Sequence, residues 1–475
     1  MGKSFDDLRQ LHKEFIYKGY SISRISDPKS EGTGEVYHVC FDMEITGLSE
    51  FKAVWDFPVS AVKGVATPVK DIDLSDDPIF KELIFALGLT ECISYYKIAC
   101  PKEFRIDCAN LSSEEILWWR KLIYNGLGEF MYRNEIDVTE EELVNITCTD
   151  NPVSTRRSLH DSRIYSGYLV PVGGGKDSVV SLEILKNEDI VTYTVNGNDT
   201  TRAVIDVCEY KSGDYVARRV LDKRMLDLNS EGYLNGHTPF SAIVAFSSVI
   251  TAYILGKKYI TLSNENSANE STVRGSFVNH QYSKSYEFEK DFMTLLRSIT
   301  DSDIHYFSML RPLTELQIAA LFSDAIPYHK VFRSCNVGSK KGIWCGDCPK
   351  CLFVYIILSP FISEDKLTEI FGSKLLDKES LDKDFRELIG IEENKPFECV
   401  GTRAEVSACM KHYRLKGGIS LLTDRYADYI DAMPYDGTSP IVSMLSDWNN
   451  EHNVPDKISD KVRKAIEEYA ISYKG

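Results

Sequence analysis

Between residues 165 and 310 short apolar runs alternate with longer stretches of helical periodicity. The runs fall at 168–172, 190–195, 215–220, 259–263 and 305–310 and are rich in Val, Ile, Leu and Tyr. Bounded by polar turns, they predict strands, and the amphipathic stretches between them predict helices. That alternation predicts a doubly wound, mostly parallel α/β sheet, contained in a domain spanning 160–355. Segment 239–255, PFSAIVAFSSVITAYIL, carries no charge. It is short for a membrane span and interrupted by Ser and Thr, so it predicts a buried helix packed on the sheet.

The first third reads differently. YSISRISDPKSEGTGEVYHVCFDMEI alternates apolar and polar positions and predicts a hairpin turning at PKSEGTGE. SSEEILWWRKLIYNGLGEFMYR predicts an amphipathic helix capped by Ser112 or Ser113 ahead of acidic residues. Residues 1–155 are therefore expected to form an N-terminal α+β domain, with the polar stretch 151–163 as a linker. After about residue 352 helical patterns such as KLTEIFG and LDKDFRELIG dominate, so 356–475 is expected to be a mainly helical, partly mixed region.

Composition narrows the function. The chain has 475 residues, 43% of them hydrophobic, enough for a sizeable core. A net charge of −16 argues against a broad nucleic-acid surface. The start, MGKSFDDLRQLHKEF, is charged rather than signal-like. The expectation is a cytoplasmic protein with neither membrane nor nucleic acid as partner. Of twelve cysteines, eight are scattered, which suits small buried hydrophobes rather than a disulfide framework.

The other four are Cys335, Cys345, Cys348 and Cys351, in SCNVGSKKGIWCGDCPKC. Tight C-x₂-C turns suit tetrahedral zinc–thiolate geometry, and Gly346 eases the turn between two ligands. Four protein ligands would close the site, making the metal structural. An iron–sulfur cluster and a redox pair are the alternatives.

The second chemical signal is PVGGGKDS, placed between the first strand of the α/β region and a helix. Glycines let backbone N–H groups approach an anion, and the helix start points its positive end there. Two common phosphate loops do not match. Walker A would need Gly where Val170 stands and Ser or Thr where Asp177 stands, and G-x-G-x-x-G would need Gly at Ser178. Ligands of such sheets bind at the carboxyl ends of strands, where VNGNDT and NENSANE would join the glycine loop.

Loop and thiols together resemble the PP-loop ATP pyrophosphatases, whose S-G-G-x-D-S loop follows the first strand of an adenine-nucleotide α-hydrolase-like fold. The hexad here is Gly173, Gly174, Gly175, Lys176, Asp177 and Ser178, with glycine in place of the first serine. The knuckle resembles that of 7-cyano-7-deazaguanine synthases. The whole-chain pattern is closer to the muramoyl-dipeptide glutamate epimerases. It rests on PVGGGKDS, GHTPFSA, SNENSANE, VNHQYSKS, WCGDCPKCLFVYIILSPF and FECVGTRAEV.

The resemblance implies ATP with Mg²⁺ or Mn²⁺, structural Zn²⁺, and a UDP-MurNAc-dipeptide whose terminal L-Glu is inverted through an acyl-adenylate. It implies phosphate binding by Gly173, Gly174, Gly175 and Ser178, magnesium at Asp177, and adenosine near Val195 and Asn196. Lys176 either touches phosphate or is solvated. Asn264, Asn269, Arg274, His280 and Lys284 are substrate-binding candidates. Acid–base candidates are His237, which is otherwise a helix cap, with Glu265, Glu270, His280 and Lys284. Cys399 is either a proton-shuttling thiol or a buried structural one. No spacing identifies the two proton-transfer groups, because they must sit on opposite faces of one carbon. Two other readings stay open. One is another PP-loop adenylating enzyme, nitrile-forming or tRNA-thiolating. The other is a zinc-stabilised module without catalysis. The first lacks an N-terminal Cys for a built-in glutaminase.

Overall fold

Ten strands join into one sheet in the order β10-β9-β6-β7-β8-β3-β2-β1-β4-β5. They are β1 (Glu14–Ser26), β2 (Glu35–Ile45), β3 (Ser49–Pro58), β4 (Glu103–Ile106), β5 (Asn145–Cys148), β6 (Ser166–Pro171), β7 (Ile190–Val195), β8 (Gly213–Val220), β9 (Lys257–Leu262) and β10 (His305–Ser308). The computed structural model describes the chain apart from residues 1–2, 28–33, 62–72, 149–157, 267–281, 336, 339–340, 394–395, 397, 399, 435–438 and 474–475.

Strands β6 to β10 pair in parallel throughout, as their apolar runs predict. The chain leaves β6 toward β7 and β8, then returns to place β9 and β10 on the other side of β6. The order therefore reverses between β6 and β9, and the crevice beyond their carboxyl ends is the switch point of a doubly wound sheet. Both faces are covered. Leu169, Val191, Tyr193 and Ile260 pack with the Pro78–Tyr96 and Phe240–Leu255 helices in one core. Tyr168, Val170, Val172 and Phe307 pack in a second core with Lys176–Ile184, Glu315–Ser323, Pro349–Leu358 and the C-terminal helices. Successive strand residues point to opposite faces, so one strand feeds both cores.

The predicted buried helix is Phe240–Leu255, ended by Gly256 in the left-handed conformation. No helix among the described residues is long and apolar enough to cross a membrane. Strand β10 stops at Ser308, short of the predicted 310, where the chain turns through Met309 and Leu310 toward Pro312.

The two strands of the predicted N-terminal hairpin pair, β1 antiparallel to β2, while residues 28–33 of the predicted turn lie outside the described residues, and β3 joins β2. The sheet does not stop there. Strand β3 pairs with β8 through Val54↔Val220, Trp55↔Arg219 and Asp56↔Arg218. On the outer side β1 continues in parallel to β4 and β5. In β2, Tyr37, Val39, Phe41, Met43 and Ile45 are buried, while His38, Cys40, Asp42 and Glu44 stay half-exposed. That strict alternation is the mark of a sheet covered on one face only.

The Ser113–Gly126 helix carries the predicted cap. Ser112 accepts from the Glu115 amide and Glu115 accepts from the Ser112 amide. The described part of the expected linker is fixed to the body: Leu159 bridges to Thr300, and the Arg163 guanidinium lies 3.2 Å from the Tyr253 ring. Beyond residue 358 the described secondary structure is helical.

Candidate active site

The glycine loop follows β6 at the switch point and ends in the Lys176–Ile184 helix, with Gly175 as its N-cap. Gly174 has φ +86°, and a β-carbon there would lie 2.8 Å from Thr200 Cγ2. A β-carbon on Gly175 would lie 2.8 Å from Ser334 Oγ. Both glycines let the main chain pass where side chains already stand, at conformations and distances other residues resist. Ser178 Oγ donates to the Gly175 carbonyl at 2.9 Å and braces the turn.

Lys176 is not solvated. It is 1% exposed, and its ammonium lies between the carboxylates of Asp177 and Glu315. Desolvation opposes that ammonium, but the two neighbouring carboxylates outweigh it and hold its pKa above the usual lysine value. Asp177 is likewise desolvated, yet Lys176 and Lys350 draw its carboxyl below the usual range, with Lys284 adding to them. Glu315 is pushed up to about 8 by burial, against the pull of Lys176, with Asp177 and Glu265 pushing the same way as burial. The group is thus a buried lysine wedged between two acids at the base of the loop, of which Asp177 remains 30% exposed.

Two of the sequence-predicted residues, Glu265 and Lys284, are close enough to this group to act on its charges. Arg311 explains why. Its guanidinium is fully buried and donates to the carbonyl of Glu265 at 2.7 Å and to that of Lys284. It also donates to Ser308 Oγ at 3.2 Å and lies 3.7 Å from Glu289. One side chain thereby holds the main chain at residues 265 and 284. Asn264 donates to Ser308 Oγ at 3.1 Å. Asn269, Glu270, Arg274, His280 and Cys399 lie outside the described residues.

At the end of β7, Asn196 has φ +63° and exchanges two hydrogen bonds with Arg219: its amide donates to the Arg219 carbonyl at 2.9 Å, and the Arg219 amide donates to Asn196 Oδ1 at 2.7 Å. Val195 is partly buried against the first core. His237 does not cap the Phe240–Leu255 helix, whose N-cap is Pro239. Its Nδ1 lies 3.7 Å from Glu129 Oε2.

The four thiols come together. All four sulfurs lie within 4.8 Å of one another. Cys335 to Cys348 is 4.0 Å, Cys345 to Cys351 is 3.6 Å, and Cys348 to Cys351 is 3.4 Å. A zinc ion about 2.3 Å from each sulfur sets a tetrahedral edge of about 3.8 Å, which these distances bracket. The hydrogen bond between Cys348 and Cys351 draws the Cys348 thiol down to about 5, toward the thiolate that a cation binds. Among the described residues no cysteine is in a disulfide. Gly346 has φ +68°, the turn anticipated between ligands. These four cysteines could hold a metal ion and are compatible with Zn²⁺.

The knuckle is attached to the loop. Arg333 N donates to the Gly174 carbonyl at 2.9 Å, two residues before Cys335. Lys350, between the last two cysteines, is 7% exposed and acts on Asp177 and Glu315. Sequence reasoning missed Lys350, Glu315 and Arg311. Lys350 reads as a spacer in CPKC, and Glu315 as an ordinary first-turn acid after the Thr314 cap. Only a buried position gives either its meaning.

Fold and site define a doubly wound α/β protein in which a glycine loop and a cysteine knuckle are built as one unit. The MurL N-terminal domain matches residues 22–309 and the MurL C-terminal domain matches 331–418. The first range contains the glycine loop and the second the four cysteines. The chain is 31% identical over 434 residues to the UDP-N-acetyl-alpha-D-muramoyl-L-alanyl-L-glutamate epimerase of Xanthomonas oryzae pv. oryzae, covering 88% of this chain and 94% of that protein. It is 34% identical over 407 residues to the enzyme of that name from a Micromonospora species, with 83% and 85% covered. It is 34% identical over 373 residues to that of Salinispora tropica, with 74% and 80% covered. The chain belongs to the MurL family. No solved structure matches it.

Proposed function

We propose that this protein is an ATP-dependent epimerase that inverts the terminal L-glutamate of UDP-MurNAc-L-Ala-L-Glu in peptidoglycan precursor synthesis. The observation that carries the reading is the epimerase name shared by three relatives, which span 74 to 88% of the chain. The glycine loop then acts as a PP-loop, a role supported by its place at the switch point and by the partly open Asp177 beside it.

Removing the α-proton of a free amino-acid carboxylate puts a carbanion beside an existing negative charge. Adenylation removes that obstacle. The α-carboxylate attacks the α-phosphorus of ATP, pyrophosphate leaves, and the acyl-adenylate acidifies the Cα–H bond. A base takes the proton from one face and an acid returns one to the other. Water then cleaves the acyl–phosphate bond, releasing AMP and the D-glutamyl product.

In this reading the amides of Gly173, Gly174 and Gly175 meet the phosphates. Asp177 would hold Mg²⁺, which when bound neutralises phosphate charge. Lys176 keeps Asp177 ionised at neutral pH. A zinc at the knuckle would serve structure alone. Incubation with UDP-MurNAc-L-Ala-L-Glu, ATP and Mg²⁺, followed by hydrolysis and chiral chromatography, tests the reading. D-glutamate that appears only with ATP is the expected result. Its absence from folded, metal-loaded protein would remove this substrate. Pyrophosphate release on other carboxylates would then point to a different adenylating enzyme, and none at all to a binding module.

A further inference from the structure

The chain has a second concave feature away from the charged group under the glycine loop. A cavity of about 790 Å³ lies on the face of the sheet where β7 and β8 meet the added strand β3. Its wall is formed by the Asp199–Val207 helix, which contributes Arg202, Ile205 and Asp206. The size is that of a small-molecule site.

The chemistry of the lining is specific. Cross-strand neighbours His38, Asp56 and Arg218 form a row over β2, β3 and β8, so all three point to one face. Asp56 is buried and lies 2.7 Å from His38 Nδ1. It lies 3.7 Å from the Arg218 guanidinium, too long for a hydrogen bond. Arg218 therefore has its direction set by Asp56 but keeps its donors, and its side chain is 54% exposed. Arg202 makes no side-chain hydrogen bond or ion pair among the described residues and is exposed. Two arginines with uncommitted donors facing one cavity suit an oxyanion with several acceptors. Asp206, one turn beyond Arg202, adds an acceptor for sugar hydroxyls, and Val216 and Pro58 give an apolar wall for a flat ring.

Position adds a second argument. Strands lie about 4.8 Å apart, so β3 is roughly 14 Å from β6, and the cavity begins nearer, at Thr194 on β7 and at Asn196 just past it, which bounds it on the side where the adenosine is expected. In the proposed substrate the reacting glutamate and the nucleotide are at opposite ends. Two residues alone extend about 7 Å, and a lactyl-sugar unit follows them. With the glutamate at the glycine loop and the substrate extended along the sheet, the nucleotide reaches several strands away. The cavity lies at that remove, on the strands that extend the sheet beyond its parallel half.

We propose that this cavity binds the nucleoside diphosphate end of the substrate, with Arg202 and Arg218 on the diphosphate and Asp206 on the ribose hydroxyls. The proposal rests on the epimerase reading for the identity of the nucleotide. The test uses UDP alone as probe, by isothermal titration of the full chain without ATP. Wild-type protein is expected to bind UDP, and Arg202→Met and Arg218→Met each to bind it at least tenfold more weakly. In steady state the same variants raise KM for the UDP-linked dipeptide at least tenfold and leave KM for ATP unchanged. Both side chains are exposed, so thermal melts of the variants are expected to match wild type. Absence of UDP binding, or equal binding by wild type and variants, overturns the proposal. A raised KM for ATP instead gives the cavity to the adenosine and also overturns it. UDP binding that depends on the arginines, in a protein that makes no D-glutamate, sinks the reaction and keeps the site.

Discussion

The amide of Arg333 donates to the carbonyl of Gly174 at 2.9 Å, so the chain entering the cysteine knuckle is bonded directly to the glycine loop. Ser334 stands against Gly175 at the next position, and Lys350 brings its charge from the far side of the knuckle to Asp177. A metal that fixes Cys335, Cys348 and Cys351 therefore also fixes one wall of the loop. Stripping it should weaken ATP binding before the chain unfolds. We expect one zinc per chain by elemental analysis, and at least a tenfold rise in KM for ATP in the Cys345→Ser variant, whose thiol is half-buried. An unchanged KM in metal-free, folded protein would separate the two features.

The three glycines are not equivalent. A β-carbon on Gly173 meets nothing within 4 Å, whereas one on Gly174 meets Thr200 and demands a left-handed backbone. Gly173→Ala should therefore leave stability within about 0.5 kcal/mol of wild type. Gly174→Ala should lose about 1–2 kcal/mol to backbone strain alone. It should also displace the loop from Thr200, raising KM for ATP. Urea unfolding and pyrophosphate release measure the two effects, and equal behaviour of the two variants would refute the geometry.

Arg311 is a fully buried cation whose removal leaves Glu289, itself 1% exposed, without its guanidinium. Burial already pushes Glu289 above the usual carboxylate range, against the pull of Arg311. Breaking such a pair costs about 3–5 kcal/mol. Arg311→Met should show that loss in denaturant, and Arg311→Met with Glu289→Gln should recover part of it. The carbonyls of Glu265 and Lys284 also lose their shared donor. Activity in the double variant should therefore stay low even where stability returns. Full recovery of turnover would show that the clamp does not serve the site.

What the sequence made legible was whatever its residues encode locally. The five parallel strands follow from short apolar runs, the Ser112 cap from a residue and its third neighbour, and the knuckle from thiols sixteen positions apart at most. What it hid depends on pairing between distant positions. Nothing near Val54 indicates that it faces Val220, so the N-terminal strands read as part of an α+β domain of their own, although they extend the same sheet. Arg311 follows a strand and looks exposed until the chain at 265 and 284 closes over it. Lys176 has the pattern of a solvated loop cation, and only Glu315, far along the chain, draws it inward.

Lys97 supplies the pH dependence that can be checked most simply. It caps the Pro78–Tyr96 helix, is 6% exposed, and donates to the carbonyl of Gly236, the residue before His237. Desolvation lowers its ammonium from 10.5 to about 8. Between those two values the unfolded chain holds a proton that the folded chain has lost, so stability rises with pH across this window. Below pH 8 both states are protonated and the burial penalty stands in full. The shift corresponds to roughly 3 kcal/mol at most. Lys97→Met removes the titration, so the variant should gain on wild type at pH 7 and lose that advantage by pH 10. The stability difference from urea unfolding at the two values measures it, since other titrating groups cancel. A difference independent of pH would mean that Lys97 keeps its ordinary pKa in the fold.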